Sequence, residues 1–237
     1  GTEPYAYYVT EETPLLAEVL QRDGFTTAGF GHSRVFYWQG MDRGMTKFAV
    51  STSSADKAFQ FLKTAKEPFF VWMHPGQPHE PYVRHKGFDF GNSEMQRYDS
   101  EVAYVDSRLG RILKLLEDRH IDDHTIVIVT ADHGEEFGDH GGKFHGMQPY
   151  NELIRVPLVI RVPGVAHAEV EVHAELTDLV PTIMELLGRK RELWRVDGGS
   201  LFEAMERGEG GASDGAYAEY LLGLRIEQHA FDDDRVA

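Results

Sequence analysis

The feature that most constrains the fold is the run TIVIVT at residues 125–130, which is largely apolar and rich in β-branched residues at consecutive positions. A strand that is apolar on both faces is typical of parallel sheets covered by helices on both sides. An amphipathic helix precedes this run, because apolar residues step by four and three along one helical face: Tyr98, Val102, Val105, Leu109, Ile112 and Leu116. A helix followed by a buried strand predicts an α/β fold.

The rest of the chain repeats this alternation. Helices are predicted at residues 13–24, 54–65 and 176–188, strands at 25–30, 68–75 and 156–164, and a loop at 87–94. The first helix has Thr13 as its expected cap and Gly24 at its end. In such folds ligands bind beyond the carboxyl ends of the strands, so we expect functional residues in the loops that follow them.

Charge and composition exclude several classes of function. The 237 residues carry a formal net charge of −15, which repels nucleic acids and anionic membranes. No apolar run approaches the roughly 20 residues of a membrane-spanning helix, so no transmembrane segment is predicted in this chain. Cysteine is absent, which excludes disulfides, thiolate metal sites and a cysteine nucleophile within these residues. Because the chain is acidic overall, a site for an anion would need a local cluster of cationic side chains. The composition gives no indication of the cellular compartment.

Two candidate metal ligands close the buried strand. Asp132 and His133 stand at its end, and the chain turns at Gly134, so both side chains can converge on one ion. A carboxylate oxygen with an imidazole nitrogen suits Mn²⁺ or Zn²⁺, whereas Ca²⁺ and Mg²⁺ prefer shells of oxygen. A polar turn capped by Asp132 explains the same residues without a metal. The acidic segment EEFGD that follows is expected only to open a helix.

Further histidines follow the strands in two loops. His140 and His145 flank Lys143 in a loop whose glycines allow close approach of the backbone to a ligand. His74 and His79 lie in MHPGQPHEPY, a loop that its prolines stiffen. A solvated loop explains each histidine taken alone, but three within thirteen residues after the buried strand favour a site.

Five segments, in consistent order, resemble the sulfatase branch of the alkaline-phosphatase superfamily. They are PFFVWMHPGQPHEPY, YDSEVAYVDSRLGRILKLLE, TIVIVTADHGEEFGDHG, HGMQPYNELIRVPLVIRVPG and ELTDLVPTIMELLG. The resemblance is clearest over residues 13–188. It implies an alkaline-phosphatase-like α/β fold, in which a mostly parallel sheet is flanked by helices and truncated at both ends. It also implies that residues 1–237 form a single, partial sulfatase-type domain.

The resemblance further implies a metal-dependent hydrolase that acts on a small anionic sulfate or phosphate ester. Asp132 and His133 would supply half of a site for one divalent cation. The family implies Ca²⁺ at this site, with Mn²⁺, Mg²⁺ or Zn²⁺ as alternatives.

The resemblance assigns roles to basic residues as well. His145, together with Lys143, would bind the oxygens of the sulfate group during catalysis, and His79 would contact the leaving-group oxygen or the anion. His32, in TAGFGHSR, matches the histidine of the family's Lys-x-His pair and would bind the substrate. The lysine position of that pair is Phe30 here, so this sequence departs from the pattern.

A larger departure concerns the nucleophile. The family completes its metal site with two aspartates of the first strand and takes its nucleophile, a formylglycine, from a C/S-x-P-x-R motif. Neither element is found in the 237 residues, so we expect an internal portion of a longer enzyme that is inactive by itself. A phosphodiesterase, phosphonate monoester hydrolase or phosphoethanolamine transferase of the same superfamily stays an alternative. So does a relic that binds a metal or ligand without catalysis.

Overall fold

A computed structural model of the protein describes residues 9–33, 40–145, 148–189, 196–208, 216–222 and 225–231, which fall into two compact units divided after Asp122. The helices are α1 (Leu16–Arg22), α2 (Ser54–Leu62), α3 (Glu94–Asp118), α4 (Asn151–Ile154), α5 (Leu179–Leu186) and α6 (Phe202–Arg207). The strands are β1 (Thr26–Gly31), β2 (Lys47–Val50), β3 (Phe69–His74), β4 (Val127–Thr130), β5 (Leu158–Arg161), β6 (Ala216–Leu222) and β7 (Arg225–Phe231).

The first unit is built on a parallel sheet in the order β2-β1-β3. Gly31, the last residue of β1, lies opposite Val50 of β2 and His74 of β3. All three strands therefore end at the same edge, and the parallel pairing predicted from the alternation of helices and strands is confirmed here. β2 was not predicted, because a four-residue strand that begins with an exposed lysine gives little periodic signal.

The core of the first unit lies between β1 and the helices α2 and α3. Ala28 and Phe30 of β1 are fully buried, and they pack with Ala58 and Leu62, which are one turn apart on α2. Ile112 of α3 completes this cluster. Burial of these side chains supplies the main force that holds the strand edge in place.

The helix α3 differs in detail from the sequence prediction. It begins after Ser93, whose hydroxyl accepts a hydrogen bond from Gln96 N at 3.2 Å, and Gln96 Oε1 accepts one from Ser93 N at 3.1 Å. Ile112 and Leu116 are buried as predicted, but Val102 is 44% exposed. Its neighbour Glu101 is buried instead, at 2% exposure, because its carboxylate holds the loop that follows β3.

The first helix also begins later than predicted. Thr13 does not cap it, and the carboxylate of Glu18 accepts a hydrogen bond from Leu15 N at 2.8 Å instead. Gly24 ends the segment as predicted, at a φ of 87° that favours glycine. None of the helices in the described segments is both long enough and apolar enough to span a bilayer.

The second unit contains two antiparallel strand pairs. β4 pairs with β5, so that Val127 lies opposite Arg161 and Thr130 opposite Leu158, and β6 pairs with β7. The apolar run of β4 therefore does not join a parallel neighbour among the described residues. The apolar composition of a strand indicates that it is buried. Whether it pairs parallel or antiparallel depends on the connection that leads to its neighbour. The single domain predicted for residues 1–237 stays a prediction.

Candidate active site

In the first unit, three histidines gather at the carboxyl edge of the parallel sheet. His32 follows β1 directly, and its Nδ1 lies 3.1 Å from Nδ1 of His74, the last residue of β3. The two rings stack with their centroids 5.1 Å apart, and the ring of His79 lies 6.2 Å from that of His32. Phe30, which stands at the lysine position of the predicted Lys-x-His match, is buried in the core.

The loop after β3 holds His79 through its backbone. His79 N donates to Gly76 O at 3.0 Å, and His79 Nδ1 donates to Glu80 O at 2.8 Å because a carbonyl can only accept. These two contacts fix the orientation of the exposed His79 ring. A side chain at Gly76 would place its Cβ 2.9 Å from His32 Cβ, so the glycine is needed for this approach.

A buried carboxylate anchors the far end of the same loop. Glu101 Oε1 accepts a hydrogen bond from Val83 N at 2.9 Å, and Glu101 Oε2 accepts one from His85 Nε2 at 2.8 Å. The His85 ring stacks on Tyr104 at 3.9 Å. Glu101 thus fixes the loop that carries His79 to helix α3, a role that the helical periodicity gave no reason to expect.

In the second unit, Asp132 and His133 follow β4 in the order predicted. His133 Nδ1 donates to Gly134 O at 2.8 Å, which leaves the lone pair of the neutral ring on Nε2. That Nε2 lies 3.8 Å from Asp132 Oδ2, and the two side chains are 40% and 57% exposed. One nitrogen and one oxygen are therefore accessible side by side, as a shared cation requires.

His145 stacks against His133. The two ring centroids are 4.1 Å apart with an interplanar angle of 25°. His145 Nδ1 donates to Glu135 Oε1 at 3.0 Å, and the side chain of Glu135 is only 4% exposed. The buried carboxylate thereby fixes the orientation of the His145 ring.

The loop between these residues is tightly folded. Glu136 and Phe144 exchange two backbone hydrogen bonds of 3.0 Å, and Phe144 adopts a φ of 69°, which is uncommon for a residue with a side chain. Exposed Lys143 precedes Phe144, and His145 follows it. The backbone pairing of Glu136 with Phe144 thus returns the chain toward His133, so that His145 lies beside it twelve residues later.

Gly134 is required by this packing. Its N–H donates to Leu153 O at 2.7 Å, and a Cβ at this position would lie 1.9 Å from Glu152 O. We expect Gly134→Ala to lower the free energy of unfolding by about 1–3 kcal/mol, since a backbone atom must move. Urea denaturation followed by circular dichroism measures this effect.

The matched control is Gly110→Ala on α3. Gly110 is exposed, and a Cβ there would meet no atom within 4 Å, so we expect a gain of about 0.4–1 kcal/mol. Equal urea midpoints for Gly134→Ala and the unmodified chain would show that the close approach does not matter.

The acidic residues after β4 were misjudged from sequence. They do not open a helix, because residues 136–139 form an isolated bridge, a bend and the start of a turn. Glu135 and Glu136 are instead buried carboxylates that accept hydrogen bonds from this loop. The sequence did contain a signal for buried carboxylates, namely an acidic pair placed between histidines in a glycine-rich segment. A helix that simply begins at the surface would not need so many glycines.

Comparison with known proteins places this geometry in a family context. The family model named Sulfatase matches residues 2–189. Arylsulfatase K of Mus musculus is 30% identical over 155 residues, which cover 63% of this chain and 28% of that protein. N-acetylgalactosamine-6-sulfatase of Homo sapiens is 28% identical over 172 residues, covering 64% and 33%. The matched region therefore spans about a third or less of these relatives.

Solved structures share the fold. The structure of BT4656 in complex with its substrate D-glucosamine-2-N,6-O-disulfate matches with a TM-score of 0.77 at 17% identity, covering 94% of this chain and 73% of that one. A putative sulfatase from Bacteroides fragilis gives 0.73 at 18%, covering 92% and 64%. A phosphonate monoester hydrolase of Agrobacterium radiobacter gives 0.70 at 20%, covering 91% and 66%. The predicted alkaline-phosphatase-like α/β fold is confirmed.

Proposed function

Because the chain belongs to the sulfatase family, we propose that the protein hydrolyses sulfate esters with the help of a divalent cation. The observation that carries the proposal is the stacked pair of His133 and His145 beyond the end of β4. It sets a candidate metal ligand against a candidate anion-binding side chain. The matched relatives, which are sulfatases by name, support sulfate over other esters.

Asp132 and His133 are the residues proposed to hold the cation. The donor set fits, since Asp132 Oδ2 and His133 Nε2 lie 3.8 Å apart and the other ring nitrogen is engaged with Gly134 O. The mixed oxygen and nitrogen pair favours Mn²⁺ or Zn²⁺ on chemical grounds, while the family resemblance favours Ca²⁺. When bound, the cation would neutralise charge that develops on the sulfate oxygens.

His145 is proposed to bind a sulfate oxygen through Nε2. In this role the imidazolium form of His145 would keep Nδ1–H on Glu135 and donate Nε2–H to the anion. Lys143, two residues earlier, would add positive charge near the same group. A fixed donor of this kind stabilises the transition state more than a mobile one, because no reorganisation is needed during the reaction.

The histidines of the first unit are proposed to act on the ester. The imidazolium form of His79 would give its Nε2 proton to the departing oxygen and keep Nδ1–H on Glu80 O. His32 would bind the anion, with its orientation fixed by the contact to His74. These roles make a histidine the acid in catalysis, which is the commonest choice near neutral pH.

The proposal is tested by measuring hydrolysis of p-nitrophenyl sulfate by the full-length natural protein. We expect His145→Gln to lower kcat/KM by about 100-fold, because one aligned donor to the reacting group is lost. His167→Gln is the matched control, since His167 is an exposed histidine of the same unit. The control should leave kcat/KM within about two-fold of the unmodified protein.

Two alternatives give different results in the same assay. Faster hydrolysis of a p-nitrophenyl phosphonate or phosphodiester than of the sulfate would favour a phosphoryl-transfer enzyme of the same superfamily. Binding of Mn²⁺ and sulfate without hydrolysis of any of these esters would favour a non-catalytic relic.

A further inference from the structure

A second group of metal-binding side chains lies outside the proposed catalytic residues. Glu136, His140 and Glu152 each offer one ligand atom, and these atoms all lie within 4.8 Å of one another. Glu136 and His140 belong to the loop after β4, and Glu152 belongs to α4. We infer that these three residues bind a divalent cation of the Zn²⁺ or Mn²⁺ type, separate from the cation proposed for Asp132 and His133.

Glu136 is a buried carboxylate with a vacant oxygen. The residue is 4% exposed, and Oε1 accepts hydrogen bonds from His140 N at 2.9 Å and Gly142 N at 2.8 Å. No donor in the described part of the chain reaches Oε2. A carboxylate this buried is costly without a positive partner, and a cation in the cluster would supply one.

The remaining charge of the cluster points the same way. Across residues 9–33, 40–145, 148–189 and the other described segments, no lysine or arginine pairs with Glu136 or Glu152. Within the same described segments, the basic group at these carboxylates is His140, whose Nδ1 lies 2.5 Å from Glu152 Oε1. Two carboxylates and one imidazole form an excess of negative charge that suits a divalent cation.

The geometry is close to that of a bound site. Zn²⁺ lies about 2.0–2.2 Å from nitrogen and oxygen ligands, so tetrahedral ligand atoms are roughly 3.4 Å apart. The widest pairs, at up to 4.8 Å, would need to close by up to about 1.4 Å, and His140 Nδ1 and Glu152 Oε1 would need to move apart from 2.5 Å. The ring of His140 is already held by stacking on Tyr150, with centroids 3.7 Å apart and planes within 13°. Glu136 is held by its two backbone donors, so two of the three ligands are preorganised.

The chemistry of the donors selects the ion. An imidazole nitrogen and carboxylate oxygens are ligand types that zinc binds, and manganese accepts similar sets, whereas calcium prefers oxygen alone. The exposed side of His140, at 45% of its side chain, leaves room for water to complete the coordination. Such an ion would tie the loop that carries Lys143 and His145 to α4.

The test is a calorimetric titration of Zn²⁺ into the 237-residue chain carrying Asp132→Asn, which removes a ligand of the other proposed site. We expect one Zn²⁺ to bind to this variant. Adding Glu152→Gln should weaken the binding by at least about ten-fold, because an ionised ligand is lost while the hydrogen bond to His140 can persist. Adding Glu171→Gln, at an exposed glutamate of the same unit, should leave the affinity unchanged.

A second measurement guards against loss of fold. Circular dichroism should be the same for all three variants, and the ring-proton signals of His140 should move when Zn²⁺ is added to Asp132→Asn but not to Asp132→Asn with Glu152→Gln. Absence of Zn²⁺ binding to Asp132→Asn, or equal binding with and without Glu152→Gln, would overturn the proposal. The three side chains would then be a hydrogen-bonded link between loop and helix. Neither result depends on catalysis, so the proposed function stands or fails separately.

Discussion

Replacing Asp132 by alanine should lower the rate of sulfate ester hydrolysis by roughly 1000-fold in the full-length natural protein, the upper part of the range for loss of one preorganised electrostatic group. Asp132 Oδ2 lies 3.8 Å from His133 Nε2, so its removal deletes one of two adjacent donors proposed for the cation. The lost charge would also weaken the attraction of this loop for the proposed cation. Initial rates with p-nitrophenyl sulfate at saturating Mn²⁺ or Ca²⁺ measure this effect.

Asp139→Ala is the matched control for this substitution. Asp139 is an exposed aspartate of the same loop, and its Oδ2 accepts only a hydrogen bond of 3.3 Å from Phe137 N among the contacts described. It changes the net charge by the same amount, so we expect less than about a three-fold change in rate. A rate for Asp132→Ala within ten-fold of the unmodified protein, or an equal loss for both variants, would contradict the proposed metal site.

The largest effect on stability is expected from Phe30→Ala. Phe30 is fully buried, and its ring centroid lies 5.8 Å from that of Phe61 across the contact between β1 and α2. Removal of the ring leaves a cavity in a core that cannot fully collapse, so the free energy of unfolding should fall by about 3–5 kcal/mol. Urea denaturation followed by tryptophan fluorescence, to which Trp72 of neighbouring β3 contributes, measures this loss.

Val50→Ala provides the control within the same sheet. Val50 ends β2 and is 37% exposed, so its truncation should cost less than about 1 kcal/mol. Phe30→Lys should destabilise the chain more than Phe30→Ala, because a lysine there would bury a charge. Retention of full stability in Phe30→Lys would show that this position can face solvent, and the Lys-x-His comparison would need revision.

The elements of the fold were accessible from sequence where a local period is strong. The helical step of α3 and the apolar runs of β3 and β4 gave elements of the correct type at the correct places. The exceptions have a common cause. β2 is four residues long, and Val102 of α3 is exposed although it fits the apolar step, because the buried carboxylate of Glu101 takes the adjacent position. Hydrophobic periodicity predicts the type of a single helix or strand, but it does not predict which residues pack against that element.

The candidate site divides in the same way. Asp132, His133 and His145 were singled out because ligand-type side chains follow a buried strand, and the stacking of His133 on His145 brings two of them together. Glu135 was missed, although its carboxylate orients His145. The hydrogen bond between Glu135 and His145 joins residues ten positions apart through a turn, and no sequence pattern predicts it. The catalytic and binding roles assigned to His32, His79, Lys143 and His145 stay predictions.

The sequence by itself determined the helices and strands with a strong local period, which strand ends carry ligand-type side chains, and which family the chain resembles. These follow from composition and spacing along a few neighbouring residues. Only the tertiary structure decided that β4 pairs antiparallel with β5, that Glu101 and Glu135 are buried, and that Glu136, His140 and Glu152 converge. The physical reason is that burial and proximity depend on the return path of the chain, which places residues distant in sequence within hydrogen-bond reach.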